Sequence, residues 1–276
     1  MYGYNLTNLI YEVSVNNFSK SYNGLETLKV ISIRHWTKKT FSFTCVRPNN
    51  LRFRSGEFVM IGLENGEKPI LRAYSIASPS WEEKLEFYSI KVENGPLTSR
   101  LQNLTEGDKI LLRPKPVGTL VLDALLPGRR LILFSTGTGI APFASIIRDP
   151  ETYEKFEEVI LTQTCRHKNE LDYGRSILER IALDELVKGF VDSKLRLIST
   201  STREQSIYNG RMTEWLREGR FESETGQNLS CESDRVMICG SLEMLNEHKE
   251  ICGKLGMEEG ANSSPGHFVI EKAFVD

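Results

Sequence analysis

No apolar run in this 276-residue chain approaches the roughly 20 residues that a membrane helix needs. Its five cysteines are an odd number with no Cys-x-x-Cys pair. That excludes a disulfide framework and a cysteine zinc site, and it points to a reducing, cytoplasmic setting. The four histidines, His35, His167, His248 and His267, share no metal-ligand spacing, so no metal is expected. A strong charge excess is missing too. The formal net charge is −2, which gives no reason to expect a nucleic-acid partner. No internal repeat is present. The first residues lack a basic start and carry only short apolar pieces, so they read poorly as a signal peptide.

What is present is enough chain for two domains with real cores. Residues 1–126 hold 16 lysines and arginines against 12 carboxylates, a balance of +4, and the remainder stands at −6. A basic front half suits an acidic partner. Residues 1–24, rich in Asn, Ser and Tyr, read as a loosely attached arm. Residues 25–126 read as all-β. Runs of β-formers at 25–36, 40–46, 57–63, 71–78, 85–92 and 109–113, separated by turn residues, predict a small antiparallel barrel. One turn, 95–101, enters a short helix, with the amides and hydroxyls of Thr98 and Ser99 aimed at an anion. From 127 to 276 the pattern alternates. Strands are expected at 130–134, 158–163, 195–199, 235–239 and 268–272, helices at 142–147, 171–186, 212–218 and 242–255, and a polar loop at 223–233. That is a parallel sheet with helices on both faces, a Rossmann-like α/β domain.

Several groups carry chemistry. On the strand at 71–78, alternation sends Arg72 and Tyr74 to one face and Ala73 and Ser75 to the other. A guanidinium fork, a phenol ring and a hydroxyl suit an aromatic cofactor with a phosphate tail, against the plainer reading of a strand with polar surface residues. Gly137-Thr138-Gly139 permits a tight turn before a helix with Pro142 in its first turn, as a nucleotide phosphate requires. It is not a full G-x-G-x-x-G, because Pro142 stands at the third glycine. Thr202 and Arg203 end the third strand of this half, Arg211 follows, and Arg166 ends the second. Hydroxyls and arginines there suit a ribose 2′-phosphate, against the alternative of solvated loop arginines. Cys239-Gly240-Ser241 ends the fourth strand, and Cys239 reads as a small hydrophobe with no paired histidine to activate it. The tail from Glu271 is apolar for a terminus, which suits either a cover over something flat or simple core packing.

In this order, Arg72-Ala73-Tyr74-Ser75, Gly95-Pro96-Leu97-Thr98-Ser99-Arg100, Arg113-Pro114-Lys115-Pro116-Val117-Gly118-Thr119-Leu120, Gly137-Thr138-Gly139-Ile140-Ala141-Pro142, Cys239-Gly240-Ser241 and Glu271-Lys272-Ala273-Phe274-Val275 resemble the bacterial ferredoxin–NADP reductases of the plant-type ferredoxin reductase family. The resemblance runs from about residue 25 to the end. It implies FAD on the barrel, NADP on the α/β domain, and hydride transfer between nicotinamide C4 and flavin N5. It also implies a ferredoxin or flavodoxin as the electron carrier. By the same resemblance Arg72, Pro96, Leu97, Thr98 and Ser99 hold the FAD pyrophosphate. Ala73, Tyr74, Ser75 and Tyr88 line the flavin. Gly137, Thr138 and Gly139, with Cys239, Gly240 and Ser241, form the nicotinamide side. Arg166, Thr202, Arg203 and Arg211 hold the 2′-phosphate, and Ala273 and Phe274 cover the flavin. Ser75, Cys239 and Glu271 are the implied catalytic positions. Arg52, Arg54, Lys68, Lys115 and Arg130 are candidates for the carrier-facing surface. Two other readings stand beside this one: the reductase component of an oxygenase, and a flavin-binding redox sensor that does not turn over. The arm and the segment 263–267 depart from the family pattern.

Overall fold

The computed structural model describes residues 22–205 and 208–272. Ala273 and Phe274, and residues 1–21 of the arm, lie outside the described residues. The first sheet comprises β1 (Glu26–His35), β2 (Thr40–Val46), β3 (Phe58–Leu63), β4 (Ile70–Ser75), β5 (Lys84–Ile90) and β6 (Lys109–Val117), in the order β4-β3-β6-β1-β2-β5. Every pairing in it is antiparallel. Residues two apart, such as Phe41 with Phe43 and Val59 with Ile61, point into one core. Register shifts between Val30 and Ser32 and between Phe58 and Met60 bend the strands and help the sheet roll up.

The rolled sheet stays open along one seam. Its edge strands β4 and β5 form no ladder with each other and meet through Tyr74 Oη and Ser89 Oγ, 3.0 Å apart. The strand expected over 71–78 stops at Ser75. Beyond it Ile76 N donates to Glu57 O (3.0 Å), and Ala77 N then crosses to Glu86 O (2.8 Å), which ties the seam at that end. After β5 the chain turns through residues 91–97 into the one-turn helix α1 (Thr98–Leu101).

The second sheet is wholly parallel. It comprises β7 (Arg130–Thr136), β8 (Glu158–Cys165), β9 (Leu195–Ser201), β10 (Asp234–Gly240) and β11 (Phe268–Lys272), in the order β11-β10-β7-β8-β9. The near-continuous apolar run of β7 suits burial on both faces. Leu131 and Leu133 pack with residues of α2 (Ala141–Ile146), α3 (Pro150–Lys155), α4 (Asp172–Ile181) and α5 (Lys188–Lys194). Ile132 and Phe134 pack with α6 (Met212–Arg217), α7 (Arg220–Thr225) and α8 (Leu242–Lys254). Helix α7 takes the start of the stretch expected as a loop, because Phe221 and Thr225 reach the core. Arg130 was a candidate for a docking surface and is not one. It is 2 % exposed, and its guanidinium donates to both oxygens of Asp234 at 2.7 Å.

The two domains share a core. Ala77, Tyr88, Leu120 and Val121 join the β7–α4 cluster. Polar ties cross the same junction. Buried Glu86 on β5 accepts from Tyr173 Oη (3.1 Å) and Arg180 Nη1 (2.6 Å) on α4. Tyr88 stacks on Tyr173 with centroids 3.9 Å apart and planes 7° apart. Ser55 Oγ donates to Asp149 (2.6 Å) and Ser145 Oγ to Ser78 O (2.8 Å).

Candidate active site at the domain junction

The open seam becomes a cavity of about 220 Å³. Edge strand β4 supplies Arg72, Ala73, Tyr74 and Ser75. The end of β5 supplies Tyr88, Ser89 and Ile90, and the following turn supplies Gly95, Pro96, Leu97 and Thr98. The α/β domain closes the inner end with Thr138, Ala141 and Cys239. Because these edges are unpaired, a flat molecule can enter where a seventh strand would lie. The groups lining the cavity are neutral apart from the guanidinium of Arg72. Burial pushes the phenols of Tyr74 and Tyr88 up, so both stay protonated, and Tyr74 is held by Ser89. Burial also pushes the Cys239 thiol well up, which leaves it a neutral packing group. Arg72 is exposed at the rim, with one N–H on the Leu71 carbonyl at 2.9 Å.

The turn before α1 ties both of its hydroxyls to its own backbone. Thr98 Oγ1 accepts from Val92 N (3.3 Å), and Ser99 Oγ donates to Gly95 O (2.5 Å). They brace the turn, which passes through Asn94 at φ 52°. A side chain on Gly95 would collide with Thr98 Oγ1.

A second cavity of about 320 Å³ opens at the carboxyl ends of the parallel strands. The strand order reverses between β7 and β10, and open α/β sheets bind ligands at that switch point. Gly137, at φ 54°, turns the chain out of β7. Gly139 packs so closely on the Cys239 carbonyl that a Cβ would not fit. Ser241 caps α8, with its Oγ accepting from Met244 N at 3.4 Å. Gly137, Thr138, Arg166, Thr202, Arg211 and Ser241 line this cavity. At its far side Thr202 N donates to Cys165 O and Arg203 N to Arg166 O, each at 3.0 Å, so β8 and β9 present their arginines side by side. Tyr88, Ile90 and Thr138 wall both cavities, which therefore meet.

Five expected residues line neither cavity: Ser99, Gly139, Arg203, Gly240 and Glu271. Ser99 is turned into its loop, and the two glycines act by permitting close packing. Arg203 is exposed beside Arg166. Glu271 lies next to Cys239 across the β10–β11 pair and accepts from Thr119 N at 3.4 Å. Burial pushes its carboxyl up to about 7, and nearby Glu57 adds to the shift. Arg211 is not a free guanidinium. It bridges Glu243 (2.8 Å) and Glu247 (3.2 Å), and both carboxylates line the second cavity. Sequence reasoning missed these two. Their i,i+4 spacing on α8 puts them on one helix face and was available as a signal. Among the described residues no cluster of three or more His, Cys, Asp and Glu is placed to hold a metal, and no helix is long and apolar enough to cross a membrane.

A rolled antiparallel sheet with a flat-molecule seam, joined to a parallel sheet with a nucleotide switch point, defines a two-domain flavin- and nicotinamide-dependent oxidoreductase. The model of the oxidoreductase FAD-binding domain matches residues 27–121, and that of the oxidoreductase NAD-binding domain matches 133–250. The chain is 56% identical over 249 residues to the flavodoxin/ferredoxin–NADP reductase of Rhodobacter capsulatus, covering 89% of this chain and 92% of that one. It is 47% identical over 256 residues to the ferredoxin–NADP reductase of Azotobacter vinelandii, covering 92% and 99%. A crystal structure of a ferredoxin NADP+ reductase from Neisseria gonorrhoeae with bound FAD and NADP matches with a TM-score of 0.83 at 28% identity, over 92% of this chain and 100% of that one. The chain belongs to the ferredoxin–NADP reductase family, as its motifs led us to expect.

Proposed function

We propose that the chain passes electrons between NADP(H) and a small one-electron carrier, a ferredoxin or a flavodoxin, through FAD held in the β4–β5 seam. The observation that carries this is the shared wall. Tyr88, Ile90 and Thr138 border both cavities, so a ring bound in one would lie next to a ring bound in the other. The residues present fit both molecules. A cleft with two neutral tyrosines, Leu97 and one rim guanidinium suits a flat aromatic ring with an anionic tail. A glycine turn, the capped start of α8 and three arginines suit a phosphorylated dinucleotide.

Bound FAD supplies the coupling of two-electron hydride chemistry to one-electron transfer. The protein supplies placement. Tyr74 and Tyr88 give the ring neutral, fixed walls. Ser75 offers a hydroxyl on the same edge strand. Thr138 and Cys239 bound the inner end of the seam and would hold a flavin and a nicotinamide in a fixed relation there. Glu271, titrating near neutrality behind Cys239, holds a proton close to that end.

The carrier surface is proposed on the basic first domain, at exposed Arg52, Lys68 and Lys115. Arg54 is tied to Glu57 (2.9 Å) and Asp123 (3.6 Å) and contributes less free charge. The arm is proposed at 1–24, the FAD domain at 25–126 and the NADP domain at 127–276; the first sheet ends at Val117 and the second begins at Arg130, which supports the division. Five free cysteines support a reducing, cytoplasmic location. The test is NADPH-dependent reduction of purified ferredoxin and flavodoxin. Carrier reduction by FAD-loaded protein is expected. Bound FAD with no carrier reduction by either would refute the proposal.

A further inference from the structure

We propose that Glu243 is a specificity-determining residue, which competes with the coenzyme 2′-phosphate for Arg211 and so lowers the affinity of the second cavity for phosphorylated nucleotides. The inference rests on the NADP(H) reading above and goes beyond it, because it assigns an opposing group to a phosphate ligand.

Arg166 and Arg211 line that cavity, and Arg203 stands exposed beside Arg166. Among the described residues, Arg166 and Arg203 have no carboxylate partner, whereas Arg211 has two. The two carboxylates are not equivalent. Glu247 is fixed from other directions, since its Oε2 accepts from Thr213 Oγ1 at 2.6 Å and lies 3.7 Å from Arg217. Glu243 has only Arg211 as a side-chain partner among the described residues, at 2.8 Å, and its side chain is 68% exposed. It also sits in the first turn of α8, where an anion is favoured by the helix end. A phosphate entering here seeks the same guanidinium and the same helix end. Two anions cannot share one fork without repulsion, so Glu243 must swing out when the phosphate binds. An exposed ion pair is weak enough to be displaced and strong enough to be felt.

The test is calorimetric binding of 2′,5′-ADP and of 5′-ADP to the FAD-loaded protein. For Glu243→Gln the Kd for 2′,5′-ADP is expected to fall about two- to fivefold, the range of an exposed ion pair, while 5′-ADP is little changed. Arg211→Ala alone is expected to weaken 2′,5′-ADP about tenfold or more. Placed on that background, Glu243→Gln should gain less than it does alone, because the shared partner is gone. Weakening by Arg211→Ala with no tightening by Glu243→Gln overturns the competition and leaves the NADP(H) reading intact. No effect of Arg211→Ala overturns the competition together with the assignment of Arg211 to the phosphate.

Discussion

The two cavities are built from opposite materials. Apart from Arg72, the seam cavity has neutral walls whose polar groups already have partners, as Tyr74 has Ser89 and Thr98 has Val92. The switch-point cavity has exposed charges that pair with each other, as Arg211 does with Glu243 and Glu247. Satisfied neutral walls lose little when a ligand is removed or added, and they hold one shape. Mutually paired charges must be rearranged whenever a ligand enters or leaves. The first arrangement suits a resident cofactor and the second a coenzyme that exchanges at each turnover. Both hang on one junction, where Tyr88 stacks on Tyr173 above the Glu86–Arg180 pair.

Breaking that junction should have the largest effect. Glu86→Ala leaves the Tyr173 phenol and the partly buried Arg180 without their acceptor. Urea unfolding of the protein is expected to show a loss of about 3 kcal/mol, at the lower end for a broken buried pair because Arg180 is partly exposed. Tyr173→Phe keeps the ring stack and should lose only about 1 kcal/mol.

Glu271 sharpens the comparison, because behind the seam its carboxyl is pushed toward neutrality. Its folded-state value of about 7 lies above the ordinary 4.5. The folded protein therefore binds this proton more tightly than the unfolded chain. Its contribution to stability is full below pH 4.5 and is lost as pH rises to about 7. Glu271→Gln should match wild type near pH 4.5 and be the more stable of the two at pH 8, by up to about 3 kcal/mol at 1.36 kcal/mol per unit. Thermal melts at both pH values check this, and equal differences at the two would contradict it.

Among the described residues Arg72 is the one charged group lining the seam cavity. Arg72→Ala is expected to weaken FAD retention by about 1.5–3 kcal/mol, read as flavin released on dilution and gel filtration. The exposed arginines are read in the coenzyme kinetics. Arg203→Ala should raise KM for NADPH by about tenfold with kcat little changed, and leave KM for NADH nearly alone. Equal losses for both coenzymes would mean that Arg203 supports its loop and does not read the phosphate.

Much of this architecture was legible in the chain. Strand β2 (Thr40–Val46) and strand β11 (Phe268–Lys272) stand where alternation and apolar runs placed them. Strand β6 did not. Its last residues include Pro114 and Pro116, which argue against a strand, yet it runs to Val117. The prolines fall in the shifted stretch between the pairs Met60–Arg113 and Phe58–Val117, where the ladder is already interrupted. Helix α7 was hidden by its polar composition, since two buried residues are enough to seat so short a turn of chain. In the site, the residue types were readable and their partners were not. Arg211 reads as a phosphate ligand, but its contact with Glu243 spans 32 positions and depends on how α6 and α8 lie together. Arg130 looked like surface charge because nothing near it in sequence shows Asp234 across the β7–β10 pair.

The most direct test of the central claim is anaerobic rapid mixing of the FAD-loaded protein with NADPH, followed by addition of oxidised ferredoxin or flavodoxin, with flavin absorbance as the readout. The shared junction predicts rapid bleaching by NADPH, slower bleaching by NADH at equal concentration, and recovery of absorbance when the carrier is added. Bound FAD that NADPH does not bleach, or that stays bleached in the presence of either carrier, would contradict it.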